Sequence, residues 1–277
     1  MVQEICPYYE KNCNVNMCPC AKFKAYEEIK KPGVIEKTFS DLGFNLNSET
    51  WKLLMDIQKS FAGSLHKIEN LEKSEVDYWV DKYLVCIEDE IREVREYLEI
   101  YPQKSYLSKQ NKNKTNNAYA VNSYNNENEL KKEIIDILHF VMDLFLCGNA
   151  TAKDIEIAYL KKYAPSVSSV NDLLKFAYDN QKYEAIYDYK KYNKDQILLL
   201  LINKLLDANG TVRQNISWKH WKKPSAEINY EKLYDAFADV FKVLIDLFIH
   251  TMDSVEEVKE IYITKNAENI FRQKFNY

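Results

Sequence analysis

The chain has 277 residues, a formal net charge of −4 and a pI near 5.7. It is long enough to bury a sizeable core, and it has no basic excess of the kind that marks nucleic-acid binding. Only 5 glycines and 6 prolines interrupt long stretches of 3.6-residue periodicity, which predicts an all-α protein. The opening MVQEICPYYEKN lacks the basic and apolar regions of a secretion signal. The apolar runs QILLLLINKLL and FKVLIDLFIH are too short and interrupted to span a bilayer, so a cytoplasmic location is expected.

Residues 1–45 hold Pro7, Pro19, Pro32 and Gly33 and read as an irregular arm ahead of a helical domain at 46–277. Cys6, Cys13, Cys18 and Cys20 crowd into this arm. Their spacing is not that of a zinc ribbon or finger, yet four thiolates satisfy tetrahedral Zn²⁺, so a structural zinc and free thiols both remain open. Cys86 and Cys147 stand in apolar helical stretches and read as core residues. A helix begins near Asn47 or Ser48, and a second covers about 73–100. Residues 101–129 are rich in Asn, Lys, Ser and Tyr and have no apolar stripe, which predicts a mobile insertion. Further helices are expected at about 128–147, 151–163, 168–180, 183–190 and 194–208, the last ending at Gly210. The aromatic loop SWKHWKKPSAEIN then leads to helices at about 230–251 and 254–273.

Two acidic pairs carry the chemistry. Glu90 and Glu93 flank the stripe Ile87, Ile91, Val94 and Leu98, and Glu133 and Asp136 accompany Ile134, Leu138, Val141 and Phe145. Residues three apart on a helix share a face, so each pair points two carboxylates the same way. Acids beside a core stripe are costly unless a cation neutralises them, and a hard divalent ion such as Mg²⁺ suits oxygen ligands. The plainer alternative is a solvated acidic helix face.

KKEIIDILHFVMDLFL and CIEDEIREV resemble the two metal helices of the dimeric all-α dUTPases, within the wider MazG-type nucleotide pyrophosphohydrolases. SWKHWKK resembles their aromatic-basic loop, and YITKNAENIFRQKFNY their C-terminal signature. The likeness covers about 48–277 without the insertion. It implies that Glu90, Glu93, Glu133 and Asp136 hold two or three Mg²⁺ ions, with Glu90 and Glu93 catalytic. It also implies that Lys265, Asn269, Arg272 and Tyr277 meet the phosphates, that Gln58 faces the base, and that Trp218 and Trp221 stack on it or cap the pocket. The implied reaction is hydrolysis of dUTP to dUMP and pyrophosphate by a homodimer. A deoxynucleoside triphosphate with another base, dCTP or a broader set of pyrimidine nucleotides, is the alternative, and a catalytically silent helical scaffold that recruits a partner is a further one.

Three departures from that pattern bear on the substrate. Phe61-Ala62 stands where the family has Leu-Asn, which leaves the base open. The aromatic loop follows the second acidic helix at a distance instead of joining the two, and the chain ends Asn276-Tyr277 in place of Gly-Tyr. The displaced loop fits an internal pseudo-repeat whose second half keeps Asp235 and Asp239 without the full acid set. His139 reads as a packed helical histidine more readily than as a group supporting the metal.

Overall fold

The computed structural model describes residues 19–66, 71–98, 117–180, 192, 194–217 and 227–274, some of them, Cys20 included, by backbone alone. Among these residues there is no strand. The helices are α1 (Pro19–Ile29), α2 (Val34–Asp41), α3 (Thr50–His66), α4 (Lys73–Tyr97) and α5 (Asn117–Cys147), followed by α6 (Ala152–Tyr163), α7 (Val170–Asn180), α8 (Lys194–Gln214), α9 (Tyr230–Thr251) and α10 (Val255–Lys274). Contacts divide the chain into two compact units, one of Glu49–Val258 and one joining Met1–Ser48 to Lys259–Tyr277. No single helix among the described residues is long and apolar enough to cross a membrane.

In the larger unit four long helices close a ring, α4 on α5, α5 on α9, α9 on α8 and α8 on α4, with α3 and α6 packed outside it. The Tyr83 ring lies 6.2 Å from that of Phe140, and Glu90 lies beside Glu133. Seven residues back along α4 therefore match seven forward along α5, and the two helices run antiparallel. The expected stripes are all buried, Ile87, Ile91, Val94 and Leu98 on α4 and Ile134, Leu138, Val141 and Phe145 on α5. Where α3, α5, α6 and α9 meet, the rings of Trp51, Phe145, Tyr159, Phe237 and Phe241 pack edge to face or tilted, with centroids 4.3–6.5 Å apart.

A polar seam sets the rotation of α4. Asp77 accepts from the Ser217 backbone N–H at 3.0 Å, Asp81 and Glu88 both accept from Arg213, and Arg95 donates to Asn203 at 2.8 Å. These four α4 residues face α8 and the turn that follows it, which leaves the Glu90–Glu93 side for α5. Residues 1–45, expected to be irregular, contain α1 and α2. Pro19 opens α1, where its missing N–H costs nothing. Gly43 (φ 84°) ends α2 in a Schellman turn closed by Phe44 against Phe39.

Two boundaries differ from the sequence expectation. The helix expected at 128–147 starts at Asn117, inside the predicted insertion, because a helix nucleated by packed residues extends at little cost through polar ones. The helix expected to end at Gly210 runs to Gln214, since the buried Val212 and the clamp from Arg213 outweigh the roughly 1 kcal/mol cost of a helical glycine. Near the end of α5 it is Asn149 (φ 57°), not Gly148, that adopts the left-handed conformation. Gly148 is there because a Cβ would come within 2.5 Å of the Phe237 ring.

These two glycines should respond oppositely to alanine. A Cβ at Gly210 meets nothing within 4 Å, so Gly210→Ala should stabilise by about 0.5–1 kcal/mol. Gly148→Ala should destabilise by roughly 1–3 kcal/mol by overpacking the fully buried Phe237. Urea unfolding midpoints at constant m-value measure both changes.

Candidate metal centre

The antiparallel pairing of α4 with α5 brings Glu90, Glu93 and Glu133 together, one carboxylate oxygen from each lying within 4.8 Å of the others. Glu90 and Glu133 are half-buried and Glu93 is exposed, so the cluster opens to solvent on one side. All the donors are hard oxygens, and the partly open site leaves room for water, which fits Mg²⁺, an ion that holds one or two carboxylates and several waters. Asp136 lies one turn along α5 from Glu133 and is not in this trio. Its Oδ1 is 3.7 Å from His139 Nδ1. His139 is buried, and its Nδ1 is 2.9 Å from the Ile135 carbonyl, a contact that makes Nδ1 the protonated nitrogen. It is a packed helical histidine whose orientation is fixed by its own backbone.

Two residues before Glu133, the buried Lys131 pairs with Glu257 at 2.6 Å. Although burial opposes it, that carboxylate holds the lysine protonated. The amine is thus committed to the turn between α9 and α10.

Gln58 is 2% exposed on α3, and its Nε2 donates to Asp143 Oδ1 at 2.8 Å. Asp143 is 8% exposed, and burial pushes its carboxyl up to about 7 against the opposing Gln58 hydrogen bond. Burial also pushes up the neighbouring Tyr83 hydroxyl and the Cys86 and Cys147 thiols, each of which feels the Asp143 charge. Asp143 is the residue the sequence analysis missed. Its signal was an acid seven residues after Asp136, hence on the same face of α5, set in the apolar run VMDLFL.

Lys265, Asn269 and Arg272 stand on α10 at i, i+4 and i+7, half-buried, in the smaller unit. Arg272 bonds to Glu268 one turn away on its own helix. Asn266, between them and also missed, is fully buried and donates to the Tyr262 carbonyl at 3.3 Å. Trp218, Trp221, Tyr277, Cys6, Cys13 and Cys18 lie outside the described residues, as do residues 101–116 and the helix expected at 183–190.

No family model matches the chain, and no solved structure matches it. A stretch of 81 residues, 25% of this chain, is 32% identical to a dCTP pyrophosphatase of Enterobacteria phage LZ5 and covers 47% of that protein. The chain therefore spans about half the length of this curated relative.

The buried carboxyl predicts a pH dependence of stability. Asp143 holds its proton in the folded state up to about pH 7, whereas an unfolded aspartate loses it near pH 4. Between those values the folded protein binds the extra proton, so stability falls as pH rises. In metal-free protein, Asp143→Asn should flatten that fall between about pH 4 and 7, as read from urea midpoints across the range. A parallel decline in the variant and the parent would exclude Asp143 as the group responsible.

Proposed function

We propose that this chain is a divalent-metal-dependent nucleoside triphosphate pyrophosphohydrolase, which cleaves a pyrimidine deoxynucleoside triphosphate with water to the monophosphate and pyrophosphate. The observation that carries it is the convergence of Glu90, Glu93 and Glu133 from two antiparallel helices, in a chain that shares an 81-residue stretch with a protein named dCTP pyrophosphatase. dCTP and dUTP are both substrates compatible with this likeness. A homodimer belongs to the same proposal.

Glu90, Glu93 and Glu133 would hold Mg²⁺, with Asp136 completing the set from the next turn of α5. The cation supplies Lewis acidity and offsets charge at the phosphates. The carboxylates also act on their own account. Glu90, half-buried beside Glu133, is placed to orient a water for in-line attack. Lys265, Asn269 and Arg272 supply the cationic and amide donors that a triphosphate needs, and Gln58 reads the base.

The chain also reads as two copies of one helix pair, α4–α5 and α8–α9. Asp143-Leu144-Phe145 on α5 matches Asp246-Leu247-Phe248 on α9. In that register Asp239 takes the place of Asp136, Ala236 that of Glu133 and Lys242 that of His139. The second pair would therefore be a support with its acids removed.

Assay of a dNTP panel with Mg²⁺, following monophosphate and pyrophosphate release, tests this function directly. Glu133→Gln and Glu90→Gln should each lower kcat by about 100-fold or more, while unfolding midpoints without metal stay level or rise as carboxylate repulsion is relieved. Arg272→Ala should chiefly raise KM. Near-parental turnover in Glu90→Gln would remove the proposed centre, whereas an unchanged KM in Arg272→Ala would remove the phosphate clamp alone.

A further inference from the structure

A cleft of about 700 Å³ opens in the larger unit where α3, the α5–α6 turn and the start of α9 meet. Cavities of that size hold small organic ligands. Met55 and Leu146 give it apolar wall, and Tyr230 and Tyr234 give it rings whose centroids are 5.9 Å apart. Tyr230 is 37% exposed, so part of its ring is open to a ligand. Leu146 stands 13 residues along α5 from Glu133, about 20 Å of helix, and the buried Gln58–Asp143 pair lies between them. The cleft is therefore separate from the acids.

Asn149 supplies its polar edge. Gly148 is committed to its close approach to Phe237, which leaves Asn149 to make the left-handed turn; among the described residues no other side-chain-bearing residue has a positive φ. The Asn149 backbone is fixed, since its N–H donates to the Leu146 carbonyl at 3.0 Å and its carbonyl accepts from the Tyr234 hydroxyl at 2.9 Å. The side chain is held far less. Its Nδ2 reaches the Leu71 carbonyl and the Tyr230 hydroxyl only at 3.4 Å each, beyond the usual N–H···O range, and its Oδ1 bonds to no other described residue. An exposed amide on a fixed backbone, beside an aromatic ring, suits the edge of a planar heterocycle, which it can meet in either orientation.

Charge limits what else the ligand carries. Thr151 and Ala152 border the cleft at the N-terminus of α6, a kind of helix end that ordinarily attracts phosphate. Here the chain's own carboxylate fills it, because Asp154 accepts from the Thr151 backbone N–H at 2.8 Å. Lys59 also lines the cleft, but so does Asp56. No excess of positive charge is left for a phosphate, so an uncharged ligand is favoured. Asp56 gives one oxygen to Lys52 and keeps acceptor capacity for hydroxyl groups.

We infer that this cleft is a second binding site, for an unphosphorylated nucleoside, with the base against the Tyr230 ring, its edge on the Asn149 amide and its sugar hydroxyls toward Asp56. Aromatic faces stack any base, and the volume exceeds what a free base fills. The site stands apart from the proposed hydrolysis and does not depend on it.

Equilibrium dialysis of the metal-free full chain against adenosine, cytidine and uridine tests this. At least one of the three should bind saturably with Kd below about 1 mM, and its monophosphate should bind about 10-fold more weakly or worse. Tyr230→Ala should weaken the nucleoside by about 10-fold or more through lost stacking. Asn149→Gly keeps the left-handed backbone and removes only the amide, so it should weaken binding by about 5-fold and serves as the test if Tyr230→Ala fails to fold. Glu133→Gln, in the acid cluster, should leave the Kd unchanged. The inference is overturned if no nucleoside saturates below about 1 mM, if the monophosphate binds as tightly as the nucleoside, or if binding survives Asn149→Gly intact. Loss of binding in Glu133→Gln would place the nucleoside at the acids and overturn it as well.

Discussion

Three carboxylates with oxygens within 4.8 Å of one another repel, and everything around α4 and α5 is arranged to hold them there. Between the half-buried Glu90 and Glu133 the unfavourable energy is roughly 3 kcal/mol at an effective dielectric near 20, and it is smaller for the exposed Glu93. Against it stand the fully buried Ile87, Ile91, Ile134, Leu138 and Val141, each contributing about 1.5–3 kcal/mol. Apolar packing on the same helix faces therefore outweighs the repulsion without help from a cation. The three acids therefore form a preformed cluster, and a cation held there would relieve their repulsion instead of assembling them.

Packing alone would not choose the rotation of α4, because an apolar stripe tolerates some turning about the helix axis. The seam to α8 supplies the choice. Arg213 reaches Asp81 and Glu88, two turns apart, and Arg95 reaches Asn203 further on. A rotation of α4 that moved Glu90 away from Glu133 would break bonds along the length of the helix together. Burial opposes keeping Arg213 charged, but Glu88 and Asp81 more than offset it and hold the guanidinium protonated.

The sequence revealed what depends on neighbours in sequence. The stripes on α4 and α5 and the acids beside them repeat at helical spacing, so the helices and the facing of Glu90, Glu93 and Glu133 were legible. Helix ends were less so. Gly210 is a stop signal by local rules, and what carries α8 past it is the burial of Val212 and the reach of Arg213 to another helix. The start of α5 at Asn117 depends likewise on a packed segment further along. Asp143 was hidden for a related reason. Its partner Gln58 is 85 residues away in sequence, and no periodicity links them.

The contrast between Asp143 and Asp246 bears on how such a site tunes itself. Burial pushes the Asp246 carboxyl up while Lys242 opposes it, and the pair is committed, since breaking it would leave two buried groups without partners. An amide partner commits far less. Gln58 is neutral, so Asp143 can gain or lose its proton with only a hydrogen bond at stake, and burial brings that exchange to about pH 7. α3 and α5 thus place a buried carboxyl, held by a single neutral amide, two helical turns from the acids.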